Sequence, residues 1–287
     1  MQHEADLSAH ASYLDTPYLD SEIDDLTDYL HRLYSGAFTE EAIRAHLANY
    51  VGYSFAGYVV QVLLARLPAN AKVLDIGCGF GSTVVAGREA GFDVTGVEIA
   101  PFEVEFARRR LERVRPQDDP EAVFIMGDAT KLDVPQNSLD AVAFWNVLEH
   151  IESCDDMLET AFQILRPGGM VLIECPNYAA KRLEAHYHVP WKPELRHDRK
   201  KAAEYLRSLG RDSRYFETSV FCRTNWEVLG SLRRRGFELQ ELGTGLSMAL
   251  RPGNLANMMR YWPRFVDFYN PGRPSVILSA RKPVGST

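Results

Sequence analysis

Between Lys72 and Cys175 short apolar runs alternate with amphipathic stretches, the signature of β-α-β units that build a parallel sheet. The alternation predicts five strands, at 72–76, 93–97, 123–127, 140–145 and 170–175. Helices between them begin near Thr83, Pro101 and Ser153, where proline suits a first helical turn and serine an N-cap. Arg166-Pro167-Gly168-Gly169 reads as a breaker and turn ahead of the fifth strand. Upstream, 21–34 and 39–67 read as two or three helices, the last amphipathic enough to pack on the sheet and placed to cover a ligand. Downstream, 177–223 lacks a strand pattern and is expected to fold as a helical insertion over the carboxyl ends of the strands. A helix at 225–235, a strand at 237–242, an irregular stretch at 246–273 and a last strand at 275–281 complete the chain, with no internal repeat. The pattern divides the chain into an N-terminal helical extension (1–70), an α/β core (71–177), the insertion (178–223) and a segment that completes the sheet (224–287).

Composition narrows the function. The 287 residues, 46% hydrophobic and 25% charged, can bury one large core with room for a small accessory domain. A net charge of −7 gives no overall pull toward nucleic acid or an anionic membrane surface, so neither is expected as a partner. Residues 1–28 are acidic and polar, unlike a secretory leader, and no apolar stretch is long enough to span a bilayer. Cys78, Cys154, Cys175 and Cys222 are widely spaced and form no CxxC pair, which points to a reducing cytoplasm.

The first chemical signal is Val73-Leu74-Asp75-Ile76-Gly77-Cys78-Gly79-Phe80-Gly81, three glycines at alternate positions between a buried strand and a helix. Glycine admits positive φ and lets a ligand lie against the main chain. A nicotinamide fingerprint would need its third glycine at position 82, where Ser82 stands. The G-x-G-x-G spacing after an acid resembles the class I S-adenosylmethionine-dependent methyltransferases. That resemblance runs from Val73 to about Tyr178 and implies a Rossmann-like, doubly wound, mostly parallel seven-stranded α/β sheet. It also implies a methionine-side loop made by Asp75, Gly77, Gly79 and Gly81. Glu98, at the end of the second strand, can accept both hydrogen bonds of a ribose diol, the task an acid performs at this place in nucleotide-binding folds. Asp128 and Ala129 follow the third strand, where the family binds adenine; a turn cap is the other reading of Asp128.

Trp145-Asn146-Val147-Leu148-Glu149-His150 follows the fourth strand and is close to the pattern of the ubiquinone-biosynthesis O-methyltransferases. The resemblance implies that Asn146 contacts the amino or carboxylate end of the cofactor. His150 is the candidate proton acceptor, since a pKa of about 6.5 suits a base at neutral pH; capping, packing or substrate binding are its other readings. The quinone enzymes have been linked to a divalent metal held by acidic residues around this motif. Here Asn146 stands at the motif's first position, which leaves Glu149 and His150 as a thin set for a hard cation, and no essential metal is expected. Adenine N-methylation would need Asn/Asp-Pro-Pro-Tyr/Phe after the fourth strand, and cytosine C5-methylation a Pro-Cys pair there; Asn146-Val147 is neither.

Between Lys181 and Arg214 ten Lys or Arg stand against five Asp or Glu, a local basic excess in an acidic chain. With Tyr178, His186, His188, Trp191, Arg196 and Arg199, this segment could stack on a ring and steer an anionic or hydroxyl-rich acceptor. A solvated helical face is the alternative. The stretch also looks similar to uncharacterised bacterial methyltransferases of glycan or secondary-metabolite pathways. Met248, Met258, Met259, Tyr261, Trp262, Phe265, Phe268 and Tyr269 would add an adaptable apolar wall or simply fill core. The resulting expectation is S-adenosylmethionine-dependent methylation of a hydroxyl on a small molecule or glycan. The other reading is a regulatory or scaffolding protein that binds the cofactor without transferring its methyl group.

Overall fold

The computed structural model describes residues 18–34, 36–51, 53–242 and 275–285; the apolar wall expected at 246–273 lies outside the described residues. Three helices come first, α1 (Asp20–Tyr34), α2 (Glu40–Val51) and α3 (Tyr53–Arg66). The core follows as β1 (Lys72–Ile76), α4 (Ser82–Glu89), β2 (Asp93–Glu98), α5 (Pro101–Val114), α6 (Pro120–Val123), β3 (Phe124–Met126), β4 (Leu139–Trp145), α7 (Cys154–Ile164) and β5 (Leu165–Pro176). Then come β6 (Leu183–Glu184), β7 (Val189–Pro190), α8 (Arg199–Ser208), α9 (Arg214–Ser219), α10 (Asn225–Arg234), β8 (Glu238–Leu242) and β9 (Ser275–Arg281). Seven strands form one sheet in the order β3-β2-β1-β4-β5-β9-β8, with β8 and β9 antiparallel to their neighbours. This is the mostly parallel, Rossmann-like sheet expected from the sequence.

Local chemistry places these elements. Pro101 opens α5, and the Ser153 side chain accepts the Asp156 amide at the start of α7, as read from the sequence. Thr224 and Glu227 close a reciprocal capping box on α10. β4 and β5 are nearly continuously buried through Ala141–Trp145 and Met170–Ile173, as strands covered on both faces must be.

Three differences stand out. Arg166–Gly169 does not break the chain: it lies inside β5, where Leu165 pairs with Leu139 and the register shifts before Ala141. Gly168 at φ +82° makes that irregularity possible without ending the strand. Val123 closes the short helix α6, whose N-cap Asp119 accepts the Glu121 amide, so β3 is shorter than expected. The insertion is not purely helical: a two-stranded hairpin, β6 with β7, precedes a 3-10 turn (Pro193–His197), α8 and α9.

The contacts sort the chain into two compact units, 1–33 with 43–132 and 34–42 with 133–287. Helix α3 packs on α4 in the first unit, which therefore includes most of the N-terminal helices. Among the described residues no helix is long and apolar enough to cross a membrane, and all four cysteines are free thiols.

Candidate active site

In the first unit, Gly77, Gly79 and Gly81 take φ of +70°, +53° and +76°, so all three need the left-handed region. The amides of Gly77 and Cys78 donate to the Val97 carbonyl, which binds the loop to the end of β2. Gly79 has room beside it: a Cβ there would meet nothing nearer than the Glu103 carboxylate at 3.5 Å. A Cβ on Gly81 would strike the Phe124 ring at 2.5 Å, so packing alone already requires glycine at that position.

Glu98 stands at the tip of β2. One carboxylate oxygen accepts the Ile99 and Ala100 amides at 2.7 and 3.0 Å, and the other accepts the Gly79 amide at 3.1 Å. Ile99 beside it is 71% exposed, an apolar surface next to a row of polar contacts. Glu103 lies close by, pushed up to about 7 by burial and by the charge of Glu98, and accepts the Tyr29 hydroxyl. Neither Glu103 nor Tyr29 carries a motif that the sequence could flag.

Two of the acids in the first unit have partners within the chain. Asp75 is buried; its Oδ2 accepts the Thr83 hydroxyl at 2.5 Å and so ties β1 to the first turn of α4, while its Oδ1 accepts from no described residue. Burial pushes its carboxyl up to about 7, against the Thr83 hydrogen bond and with added repulsion from Glu98. Asp128 caps the 3-10 turn Ala129–Lys131, accepting the Thr130 amide and hydroxyl through Oδ1 and pairing with Lys131 through Oδ2. The cap reading thus describes its contacts, and Ala129 is buried beneath it.

In the second unit, Asn146 turns the end of β4 at φ +54°, a conformation uncommon outside glycine, and its side chain is exposed. A 3-10 turn (Leu148–His150) follows. The Arg223 guanidinium holds that turn through the carbonyls of Leu148, Ile151 and Glu152, and the Phe221 amide donates to the Glu149 carbonyl.

The His150 ring has one orientation available. Its Nδ1 lies 2.6 Å from the Ser219 carbonyl, which can only accept, so Nδ1 carries the proton and Nε2 a lone pair. His186 mirrors it: Nδ1 lies 2.8 Å from Glu184 Oε1, and Nε2 lies 3.3 Å from His150 Nε2. Glu184 is fully buried and also accepts the Tyr178 hydroxyl and the Tyr187 amide. Burial opposes its ionisation, yet His186, Lys181 and Tyr178 together hold its carboxyl well below the usual range. Burial lowers His150 to about 4, and burial raises Glu149 to about 7. Glu149, His150 and His186 each bring a possible ligand atom within 4.8 Å of the others. Tyr34, Phe38, Tyr187 and Tyr215 pack into an aromatic group whose Tyr215 ring lies 6.2 and 5.8 Å from the rings of His150 and His186.

The acceptor-side expectations divide. His186 joins His150, but Tyr178 and Trp191 are core residues, stacked edge to face. His188 takes φ +50° at the turn of the hairpin. Arg196 and Arg199 brace backbone carbonyls: Arg196 donates to the Pro193 carbonyl, and Arg199 donates to the Phe216 and Glu217 carbonyls at the end of α9. Such carbonyls at a helix C-terminus attract cations. Glu184 escaped the sequence reading. Its signal is the Glu184-x-His186 spacing, an acid at the end of β6 two residues ahead of a histidine in the hairpin turn.

The methyltransferase-domain family model matches residues 45–242, more than half of the chain. The ubiquinone biosynthesis O-methyltransferase of Pseudomonas entomophila is 29% identical over 46% of this chain and 58% of its own length. An S-adenosyl-L-methionine-dependent Diels-Alderase of Talaromyces variabilis is 34% identical over 40% of this chain and 41% of its own. The chain thus spans less than two thirds of the length of either relative. In fold it matches phosphoethanolamine N-methyltransferase 2 of Haemonchus contortus in complex with S-adenosyl-L-methionine, with a TM-score of 0.54 and 18% identity over 96% of this chain and 60% of that one. The glycine loop, the strand order and the extent of the family match agree: the chain belongs to the methyltransferase-domain family, of the class I, S-adenosylmethionine-dependent kind.

Proposed function

We propose that this protein transfers a methyl group from S-adenosylmethionine to a hydroxyl oxygen of a small, ring-bearing acceptor. The sulfonium supplies an already activated methyl group. The chain's own residues have only to hold the acceptor oxygen in line and take its proton, and positioning of this kind can contribute about 7–11 kcal/mol. Gly79 leaves the main chain of the loop open to a ligand, Glu98 accepts hydrogen bonds from a ribose diol, and Ile99 offers an apolar face to a base. The segment Asp128–Ala129 continues the proposed cofactor contacts of the first unit, and Asn146 is the candidate contact that the sequence offers in the second.

The observation that carries the oxygen acceptor is the His150 ring, whose Nδ1 proton is held by the Ser219 carbonyl so that its Nε2 carries a lone pair, turned toward His186 in the cation-free protein. A hydroxyl must lose a proton as the methyl group arrives, and this lone pair receives it. The nearby tyrosine and phenylalanine rings suit a cyclic acceptor. Methyl-labelled cofactor incubated with cell extract and with a panel of phenols and sugars tests the reading. Label recovered as a methyl ether supports it, and label only on nitrogen or carbon overturns it.

A second reading keeps the cofactor and drops the transfer. It is favoured by the relative named a Diels-Alderase, which shares 34% of its aligned residues with this chain. Tight cofactor binding with no labelled product from any extract would support it.

A further inference from the structure

We propose that Glu149, His150 and His186 form a binding site for a borderline divalent first-row cation such as zinc or cobalt. The proposal goes beyond methyl transfer and does not depend on it. It also revises the expectation of no metal, which weighed Glu149 and His150 without the imidazole that the insertion brings to them.

The hydrogen bonds come first. Each histidine spends its Nδ1 proton on an outer acceptor, His150 on the Ser219 carbonyl and His186 on the Glu184 carboxylate. Outer acceptors of these two kinds are the usual partners of metal-bound imidazoles, fixing the tautomer and the aim of the ring. Both Nε2 lone pairs are thereby turned toward one place, and two facing lone pairs repel unless a cation or a proton lies between them.

Ring geometry chooses between those. The Nε2 atoms are 3.3 Å apart, a long contact for a hydrogen bond between two ring nitrogens. With metal–nitrogen bonds of about 2.0–2.1 Å, that separation corresponds to an angle of roughly 104–111° at the cation, the tetrahedral value. The ring centroids give an independent measure. Two rings aimed straight at each other across 3.3 Å would have centroids about 5.6 Å apart, whereas rings converging on a shared cation would bring them to about 5.1 Å. The observed distance is 5.0 Å.

The third ligand is independent of the histidines. Glu149 is buried, and its Oε2 accepts no hydrogen bond from any described residue. A buried carboxylate oxygen without a partner is costly, and a cation removes the cost. At the 4.8 Å limit of the cluster, the carboxylate oxygen has to move inward by about 1–1.5 Å to reach bonding distance. Two imidazoles and one carboxylate favour zinc, cobalt, iron or nickel over magnesium, and three protein ligands leave a tetrahedral cation one position for an oxygen donor. Cation and proton compete for the same lone pairs, so proton uptake by His150 describes the cation-free protein.

The test uses the full chain, stripped with a chelator and titrated with cobalt(II), then with zinc(II). One equivalent of cobalt(II) should produce the visible bands of a four-coordinate ion with nitrogen ligands, and zinc(II) should displace it. Glu184→Gln should weaken binding by about 10–100-fold, and His186→Gln by at least as much, while His197→Gln on the surface changes nothing. Absence of a stoichiometric cobalt(II) spectrum overturns the proposal, as does a folded His186→Gln protein that binds as tightly as the unmodified one. If His186→Gln fails to fold, proton spectra of the cobalt-loaded protein decide alone: two shifted imidazole N–H signals support the site, and none overturns it. Methyl-transfer assays play no part, so failure here leaves the proposed reaction standing, and the reverse.

Discussion

Glu98 accepts the amide of Gly79 at 3.1 Å, so the acid at the tip of β2 and the middle glycine of the loop after β1 form one hydrogen-bonded unit. The same carboxylate is proposed to accept the ribose diol. Replacing Glu98 with alanine should therefore weaken S-adenosylmethionine binding by about 1.5–3 kcal/mol, the range for hydrogen bonds to a charged group. That is about tenfold to more than a hundredfold in affinity. Calorimetry on the folded variant measures it, and unchanged affinity removes Glu98 from the site.

Asp75 makes apo-protein stability depend on pH in an unusual direction. Its folded pKa is raised from 3.8 to about 7 by burial, so the folded state holds this proton more tightly than the unfolded chain does. Stability from this group is complete below about pH 4 and declines as pH climbs through 7. Asp75→Asn should accordingly raise thermal stability at pH 8 and leave it nearly unchanged at pH 4, with a gain of at most about 4 kcal/mol at about 1.4 kcal/mol per pKa unit. Melting curves across that range check the sign.

Gly81 is required by packing as well as by conformation. A Cβ would lie 2.5 Å from the Phe124 ring and 3.0 Å from Ala107, at φ +76°. Gly81→Ala should cost about 1–3 kcal/mol of stability, read from denaturant unfolding, and Phe124→Leu in the same chain should recover part of it. Loss of cofactor binding without loss of stability would contradict this packing account.

His150→Ala should lower turnover by about 10²–10⁴-fold while cofactor affinity stays nearly constant. A phenol acceptor should suffer less than an alcohol, because its lower pKa leaves less work for the base. A drop smaller than several-fold would reduce His150 to an orienting residue.

Arg199→Ala should act on stability rather than on the acceptor. Its guanidinium holds the last carbonyls of α9 and lies over the rings of Phe221 and Phe216, so the variant should melt earlier with the acceptor's KM unchanged. A raised KM at unchanged melting temperature would restore the anion-steering role.

The strands, their order of appearance and the glycine loop were legible in the sequence because they follow from local rules. A buried parallel strand must be apolar nearly throughout, a left-handed turn selects glycine, and a helix start selects proline or serine. Asn146 and His150 were legible through their place after β4. Partners separated widely along the chain were not. His186 reaches His150 across 36 positions through the β6–β7 hairpin, and the sequence showed only a basic segment expected to be helical. That the Asp75 carboxyl is buried against Thr83 was decided by packing around β1. The destinations of Arg196 and Arg199 likewise depended on which carbonyls the folded insertion left within reach. Backbone conformation and burial periodicity are properties of neighbouring residues and are written locally. The partner of a charge or a lone pair is whatever the tertiary fold places within about 3 Å of it.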